Sequence, residues 1–219
     1  KETVMSVAIK NAIKYARKDF NANAPKILSL LEAADVKRVN RSTYAGLHKV
    51  IDDPNNNWMI FAKKLICDTN INVVEKLVPP ALNVAINSYS KRMKAIEEHG
   101  CNVPWAILMD PTAACNLKCK GCWAAEYGKN SQLSYDDLAR IIREAKELGT
   151  YMFLYTGGEP TIRRNDLMRL CRENPDCIFM SFTNGTLIDD SFADEIGEVG
   201  NFLPAFSIEG YEEDNDFRR

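Results

Sequence analysis

The sequence predicts an all-helical segment followed by an α/β region built on a parallel sheet. Three observations predict it. Apolar residues recur with a 3.6-residue period through much of the first hundred residues. After Gly100, short apolar runs alternate four times with amphipathic helical stretches. Each apolar run ends in a loop rich in Cys, Gly, Asn or Glu, at the strand ends where parallel α/β folds gather their chemistry. Composition agrees: of 219 residues, 46% are hydrophobic and 26% charged, a globular balance rather than a disordered or fibrous one.

The elements follow in order. From Val4 to Phe20, Val4, Met5, Ala8, Ile9, Ala12, Ile13, Ala16 and Phe20 share one helical face, with Lys10, Lys14, Arg17 and Lys18 opposite. Asn21–Ala24 reads as a break, and Pro25 suits the first turn of a helix reaching about Ala34. Ser42 can cap a helix to about Ile51, and Asp52-Asp53-Pro54-Asn55 reads as a turn. Trp58 to Cys67 is helical. A longer helical stretch runs from Ile71 to Glu98, where Pro79-Pro80 is expected to kink or split it, and His99-Gly100 ends it. Strands are expected at Trp105–Asp110, Tyr151–Tyr155, Cys177–Phe182 and Phe202–Ile208. Helices are expected at Ser134–Leu148 (closed by Gly149), Asn165–Arg172 and Asp189–Val199. The change of pattern at Gly100 suggests two domains, 1–100 and 101–219.

Charge divides at the same place. The net charge is −2, yet residues 1–100 hold 16 Lys/Arg against 10 Asp/Glu, and residues 101–219 hold 12 against 20. Two ordinary solvated surfaces explain this, and so does a basic region that meets an acidic partner or a membrane surface. The apolar stretch Val103–Met109 is far shorter than the ~20 residues a membrane span needs, and the N-terminus lacks the apolar core of a signal peptide. The expected location is cytoplasmic. Nothing in the sequence points to nucleic acid.

The seven cysteines are unevenly placed, with Cys115, Cys119 and Cys122 inside eight residues directly after the first strand. Without an export signal, this favours metal or redox chemistry over disulfides. Three thiolates at C-x3-C-x2-C spacing can hold three irons of a 4Fe–4S cube and leave the fourth iron open. A zinc knuckle remains an alternative, though it usually needs four ligands, and His99, Cys101, Cys171 and Cys177 are not tightly paired with the loop. Cys67, Cys101, Cys171 and Cys177 are expected to be small core residues, and His48 and His99 structural or exposed.

This loop resembles the defining motif of the radical S-adenosylmethionine (SAM) enzymes. The residue before the third Cys is Gly121 where that family often has an aromatic residue; Trp123 can shield the cluster instead. Thr156-Gly157-Gly158-Glu159-Pro160 resembles the family's second motif, which holds the amino group of SAM. Thr183-Asn184-Gly185-Thr186 and Ser207-Ile208-Glu209-Gly210 resemble its later strand-end elements. The resemblance implies a partial parallel (β/α) barrel, with four of about six strands present. Cys115, Cys119 and Cys122 would be the iron ligands. Gly157, Gly158, Glu159, Asn184, Ser207 and Glu209 would be SAM contacts, with Ser207 and Glu209 alternating onto one side of the fourth strand. It also implies a 4Fe–4S cluster and SAM as cofactors, and a flavodoxin or ferredoxin-type electron donor. The implied chemistry is reductive cleavage of SAM to a 5′-deoxyadenosyl radical that takes hydrogen from a substrate, an unidentified peptide, protein or lipid. A non-enzymatic zinc or iron–sulfur module, or a scaffold that keeps the cluster without making 5′-deoxyadenosine, is the competing class. The resemblance covers about Trp105–Gly210, so the chain is expected to be a fragment whose unclosed sheet leaves it poorly stable or insoluble alone.

Overall fold

The fold is described from a computed structural model, and the described residues are 4–35, 41–126 and 131–219. The side chains of Val4, Met5 and Ser42, given roles above, lie outside what is described. Two compact units are present, Lys1–Pro79 and Pro80–Arg219. The division falls at Pro79/Pro80 rather than at residue 100.

The first unit is helical: α1 (Val4–Lys18), α2 (Phe20–Ala34), α3 (Arg41–Ile51), α4 (Asn57–Asp68) and most of α5 (Ile71–Leu82). Its core forms around Ala16, Phe20 and Met59, flanked by Ile27, Val50 and Ile66. Arg17 ties the end of α4 down by donating to the carbonyls of Cys67 and Thr69, both at 2.9 Å. The expected break at Asn21–Ala24 is helical instead. Asp19 caps α2 by accepting from the Ala22 amide at 3.1 Å, so Pro25 lies inside the helix. The prolines at 79 and 80 do not split α5 either; the irregularity comes just downstream, as a π-helical turn over Asn83–Asn87 before α6 (Ser88–His99).

Although α6 reads as more of the helical segment, its contacts belong to the second unit. Ser88 Oγ donates to the Gly149 carbonyl at 2.7 Å, and Lys91 Nζ to that of Lys146 at 2.6 Å. In the turn before it, Asn83 Nδ2 donates to the Asp176 carbonyl at 2.9 Å. Such anchors join residues far apart in sequence, which is why periodicity alone puts the boundary too late.

The second unit is an α/β sheet of four parallel strands in the order β1 (Ala106–Thr112), β2 (Met152–Gly157), β3 (Ile178–Thr183), β4 (Phe202–Phe206). Helices α7 (Tyr135–Leu148), α8 (Arg164–Glu173) and α9 (Asp190–Val199) join successive strands, as parallel pairing requires. Ser134 and Asp189 cap α7 and α9 by accepting from Asp137 N and Phe192 N, and Gly149, at φ +99°, ends α7. Met109, Phe153, Tyr155, Phe179 and Phe202 face Leu138, Ile142, Leu167, Leu170 and Phe192 from these helices in one buried core. The Phe153, Phe179 and Tyr155 rings stack at 5.6 and 5.9 Å. Strand alternation sends Leu108 and Asp110 to the opposite, uncovered face, where Leu108 is 59% exposed. Segment 131–133 covers the free edge of β1: Ala113 N donates to Ser131 O at 2.8 Å and Leu133 N to Pro111 O at 3.2 Å. A short α10 (Glu212–Arg218) follows β4.

Candidate functional site: the strand-end loops

The strand ends of β1 to β4 put the motif residues on one edge of the sheet. The cysteine loop leaves β1 at Thr112. Cys115, Cys119 and Cys122 are half-buried free thiols. A turn closes the loop, with Cys122 N donating to Cys119 O at 3.3 Å and Gly121 at φ +68°. The Leu117 amide points at Cys115 Sγ at 3.4 Å, and the Arg219 guanidinium lies 3.7 Å from Cys119 Sγ. Trp123, 58% exposed, opens a 3-10 turn directly after the loop. Among the described residues, no three His, Cys, Asp or Glu side chains are gathered around a single ion. A cube asks for something different, since each thiolate takes a separate iron and the three surround a volume rather than converge on a point. Three half-buried thiols on one eight-residue loop, one facing an amide and one a guanidinium, are of the donor type that a cube takes.

The Gly-Gly-Glu-Pro loop packs directly on the approach to these cysteines. Gly158 N donates to Thr112 O at 2.9 Å and Glu159 N to Ala114 O at 2.8 Å. A Cβ on Gly158 would lie 2.1 Å from Ala114 O, and one on Gly157 (φ +102°) would lie 2.7 Å from Thr112 O. Both glycines are therefore demanded by backbone-to-backbone contact with the segment that delivers Cys115.

Glu159 is 1% exposed. Its Oε1 accepts from Thr161 N at 3.1 Å, from Thr161 Oγ1, and from Thr183 Oγ1 at 2.7 Å, while Oε2 accepts from Asn184 N at 2.8 Å. Four donors of the chain itself occupy this carboxylate. Asn184, after β3, turns its side chain to the cysteine loop, donating to Asn116 Oδ1 at 2.9 Å.

The fourth strand end differs from the expectation. β4 stops at Phe206, so Ser207 and Glu209 sit in the following loop and strand alternation does not aim them. Ser207 N donates to Thr183 O at 2.9 Å, and Ser207 O accepts from Arg219 at 2.5 Å. Glu209 is exposed and pairs with Arg218 at 3.3 Å and Arg219 at 3.6 Å. Lys120 N donates to Arg218 O at 2.8 Å, and Lys120 Nζ lies 3.4 Å from the centroid of the Phe217 ring, so α10 also touches the cysteine loop.

Sequence reasoning did not single out Asn116, Thr161 or Asp110, and it read Thr183 only as part of the Thr-Asn-Gly-Thr element. Asp110 lines a cavity of about 350 Å³ at the C-terminal end of β1, with Ala113, Ser131, Gln132, Leu133 and Gly157. The other cysteines divide. Cys171 and Cys177 are buried, and burial pushes both thiols up, Cys177 to about 12. Cys67 is half-buried, and Cys101 is exposed rather than in a core.

Residues 109–219 match the model of the radical SAM superfamily. The chain belongs to the radical SAM superfamily. Members of this family use a 4Fe–4S cluster and SAM. Among its radical SAM relatives, Fe-coproporphyrin III synthase of Methanosarcina barkeri is 34% identical over 114 residues, 50% of this chain and 28% of that protein. GTP 3′,8-cyclase of Syntrophomonas wolfei is 34% identical over 122 residues, 52% of this chain and 36% of that one. The solved structure of Streptococcus suis SuiB bound to its precursor peptide SuiA overlays 59% of this chain and 30% of its own, at 26% identity and a TM-score of 0.49. The chain spans about a third of the length of the curated relatives it matches. No helix among the described residues is long and apolar enough to cross a membrane.

Proposed function

We propose that this chain carries the cluster-binding and SAM-binding core of a radical SAM enzyme. The observation that supports it most is the convergence of the cysteine loop with the Gly-Gly-Glu-Pro and Thr-Asn-Gly-Thr loops at one edge of a parallel sheet, with Gly158 in backbone contact with the approach to Cys115. When bound, the cluster and SAM supply a 5′-deoxyadenosyl radical able to take hydrogen from an unactivated C–H bond.

The chain's own residues do the rest. Cys115, Cys119 and Cys122 hold three irons. Gly157 and Gly158 bring bare backbone to the SAM methionine end, and Glu159 acts on that end through the loop it shapes. Asn184 orders the β3 loop at the same edge. Ser207 and Glu209 meet the polar groups of SAM from the β4 side, where Glu209 is held by ion pairs to exposed Arg218 and to partly buried Arg219 that a ligand would have to replace. The cavity beside β1 receives the substrate, and Asp110 offers it a carboxylate. Reduction comes from a flavodoxin or ferredoxin-type donor. The two curated relatives are named for a coproporphyrin and for GTP, which supports a shared radical-forming core whose substrate is set by residues around it.

The test is anaerobic reconstitution of the full-length protein with iron and sulfide, followed by dithionite and SAM. The wild type should release 5′-deoxyadenosine and Cys119→Ala should release none. Wild-type protein that loads zinc and leaves SAM intact, or a Cys119→Ala variant that still cleaves it, overturns the proposal.

A further inference from the structure

Asn116, directly after the first cysteine, closes a ring of hydrogen bonds with the β3 loop. Asn116 Nδ2 donates to Thr186 Oγ1 at 2.8 Å, Thr186 Oγ1 donates to Asn184 Oδ1 at 2.8 Å, and Asn184 Nδ2 donates to Asn116 Oδ1 at 2.9 Å. Each amide uses one donor and one acceptor in a consistent sense, so the ring fixes both amide orientations. Thr186 N adds a fourth bond, to Asn184 Oδ1 at 2.9 Å. The ring is exposed on its own, but it is anchored where water is excluded, because buried Glu159 accepts from Asn184 N and Thr183 Oγ1. Thr183 Oγ1 in turn accepts from Gly185 N at 3.0 Å. The path therefore runs from a buried carboxylate on the β2 loop, through the β3 loop, to the residue beside Cys115. Residues 68 and 70 positions apart are joined by side chains alone.

We infer that Asn116 is a positioning residue: through the Asn116–Thr186–Asn184 ring, Glu159 and the β3 loop hold the Cys115 end of the cysteine loop in its cluster-binding geometry. Bonds that run in one sense around a ring polarise one another, and the ring needs no ligand to form. It acts on the cluster as an outer shell does, by restraining a ligand it does not replace. The inference rests on the radical SAM reading, because it assigns the restrained thiol to iron.

The experiment uses full-length Asn116→Ala and Asn116→Asp. In the metal-free proteins, amide hydrogen exchange at 115–117 and 184–186 should quicken about 10-fold in Asn116→Ala, with the melting temperature of the sheet unit unchanged. After anaerobic reconstitution, iron release to a ferrous chelator should be roughly 10–100-fold faster than in the wild type. Asn116→Asp keeps the acceptor for Asn184 Nδ2, and the single Thr186 hydroxyl proton can turn to it only by leaving Asn184 Oδ1, which still accepts from Thr186 N. This variant should bring exchange and iron release back part of the way to the wild-type rates, because it keeps the Asn184 bond and loses the Asn116 donor, while its added negative charge lowers the cluster's midpoint potential, a change that loss of packing does not produce. Exchange in Asn116→Ala within twofold of the wild type, or fast exchange with unaltered iron release, overturns the inference. A wild type that takes up no iron overturns the function proposed above and this inference with it. Wild-type loading with an indifferent Asn116→Ala overturns this inference alone.

Discussion

Two carboxylates at this edge of the sheet carry the same sequence-level expectation and opposite physical situations. Glu159 is 1% exposed and saturated by four donors from its own chain. Glu209 is exposed, lies past the end of its strand and is held by two ion pairs. Freeing a buried, hydrogen-bonded carboxylate costs about 1–3 kcal/mol for each partner stranded, whereas an ion pair open to solvent, as the Glu209–Arg218 pair is in part, is worth ~0–1 kcal/mol. A motif carboxylate is thus not automatically a ligand contact. Glu159 is committed to joining the β2 and β3 loops, and Glu209 is the carboxylate proposed above to meet a ligand. Glu159 joins the β2 and β3 loops through buried hydrogen bonds, whereas the β4 side is tied in by Ser207 N, by Arg219 and by the Arg218 carbonyl, with the Glu209 carboxylate engaged only by ion pairs.

The largest way to break this contrast is Gly158→Ala. Its Cβ would lie 2.1 Å from Ala114 O and 2.6 Å from Ala113 O, both backbone atoms that cannot swing aside. Destabilisation of roughly 3 kcal/mol or more is expected, read by chemical denaturation, with loss of iron uptake on reconstitution. Wild-type iron loading in this variant would show that the two loops are not locked. A smaller effect is expected from Glu159→Gln, which turns an amide donor toward donors that now meet a carboxylate. The loss should be about 1–3 kcal/mol, visible as a lower melting temperature with or without SAM. Differential alkylation of the metal-free protein sharpens the contrast from the cysteine side. Cys115, Cys119 and Cys122 should label at neutral pH, while Cys171 and Cys177 stay unmodified until denatured, because burial keeps their thiols protonated. Smallest of all, Glu209→Gln should shift stability by less than about 0.5 kcal/mol, an effect that rising salt should erase.

Much of the sheet unit was legible in the sequence. The four strands, the caps at Ser134 and Asp189 and the stop at Gly149 follow from alternation and turn chemistry. Three features were not legible, each for a physical reason. Ile208 looked like a continuation of β4 because it is apolar, yet it is 74% exposed beyond the strand end. Helix α6 carries the same periodicity as the helices before it, and only its bonds to Gly149 and Lys146 assign it to the sheet unit. The commitment of Glu159 and the ring at Asn116 depend on which side chains a fold brings together across 24 to 70 residues, and no local pattern encodes that. The break expected at Asn21–Ala24 and the split expected at Pro79-Pro80 are absent: Pro25 lies inside α2, and the irregularity follows the proline pair as the π-helical turn at Asn83–Asn87.

The most direct test of the contrast is SAM affinity of the reconstituted full-length protein, measured by equilibrium binding alongside melting temperature for Glu209→Gln and Glu159→Gln. Glu209→Gln should weaken SAM binding about 10-fold at a wild-type melting temperature, as expected for loss of a charged contact, while Glu159→Gln should lower the melting temperature first. The reverse pattern, with Glu209→Gln binding SAM normally and Glu159→Gln losing SAM affinity at an unchanged melting temperature, would contradict that contrast.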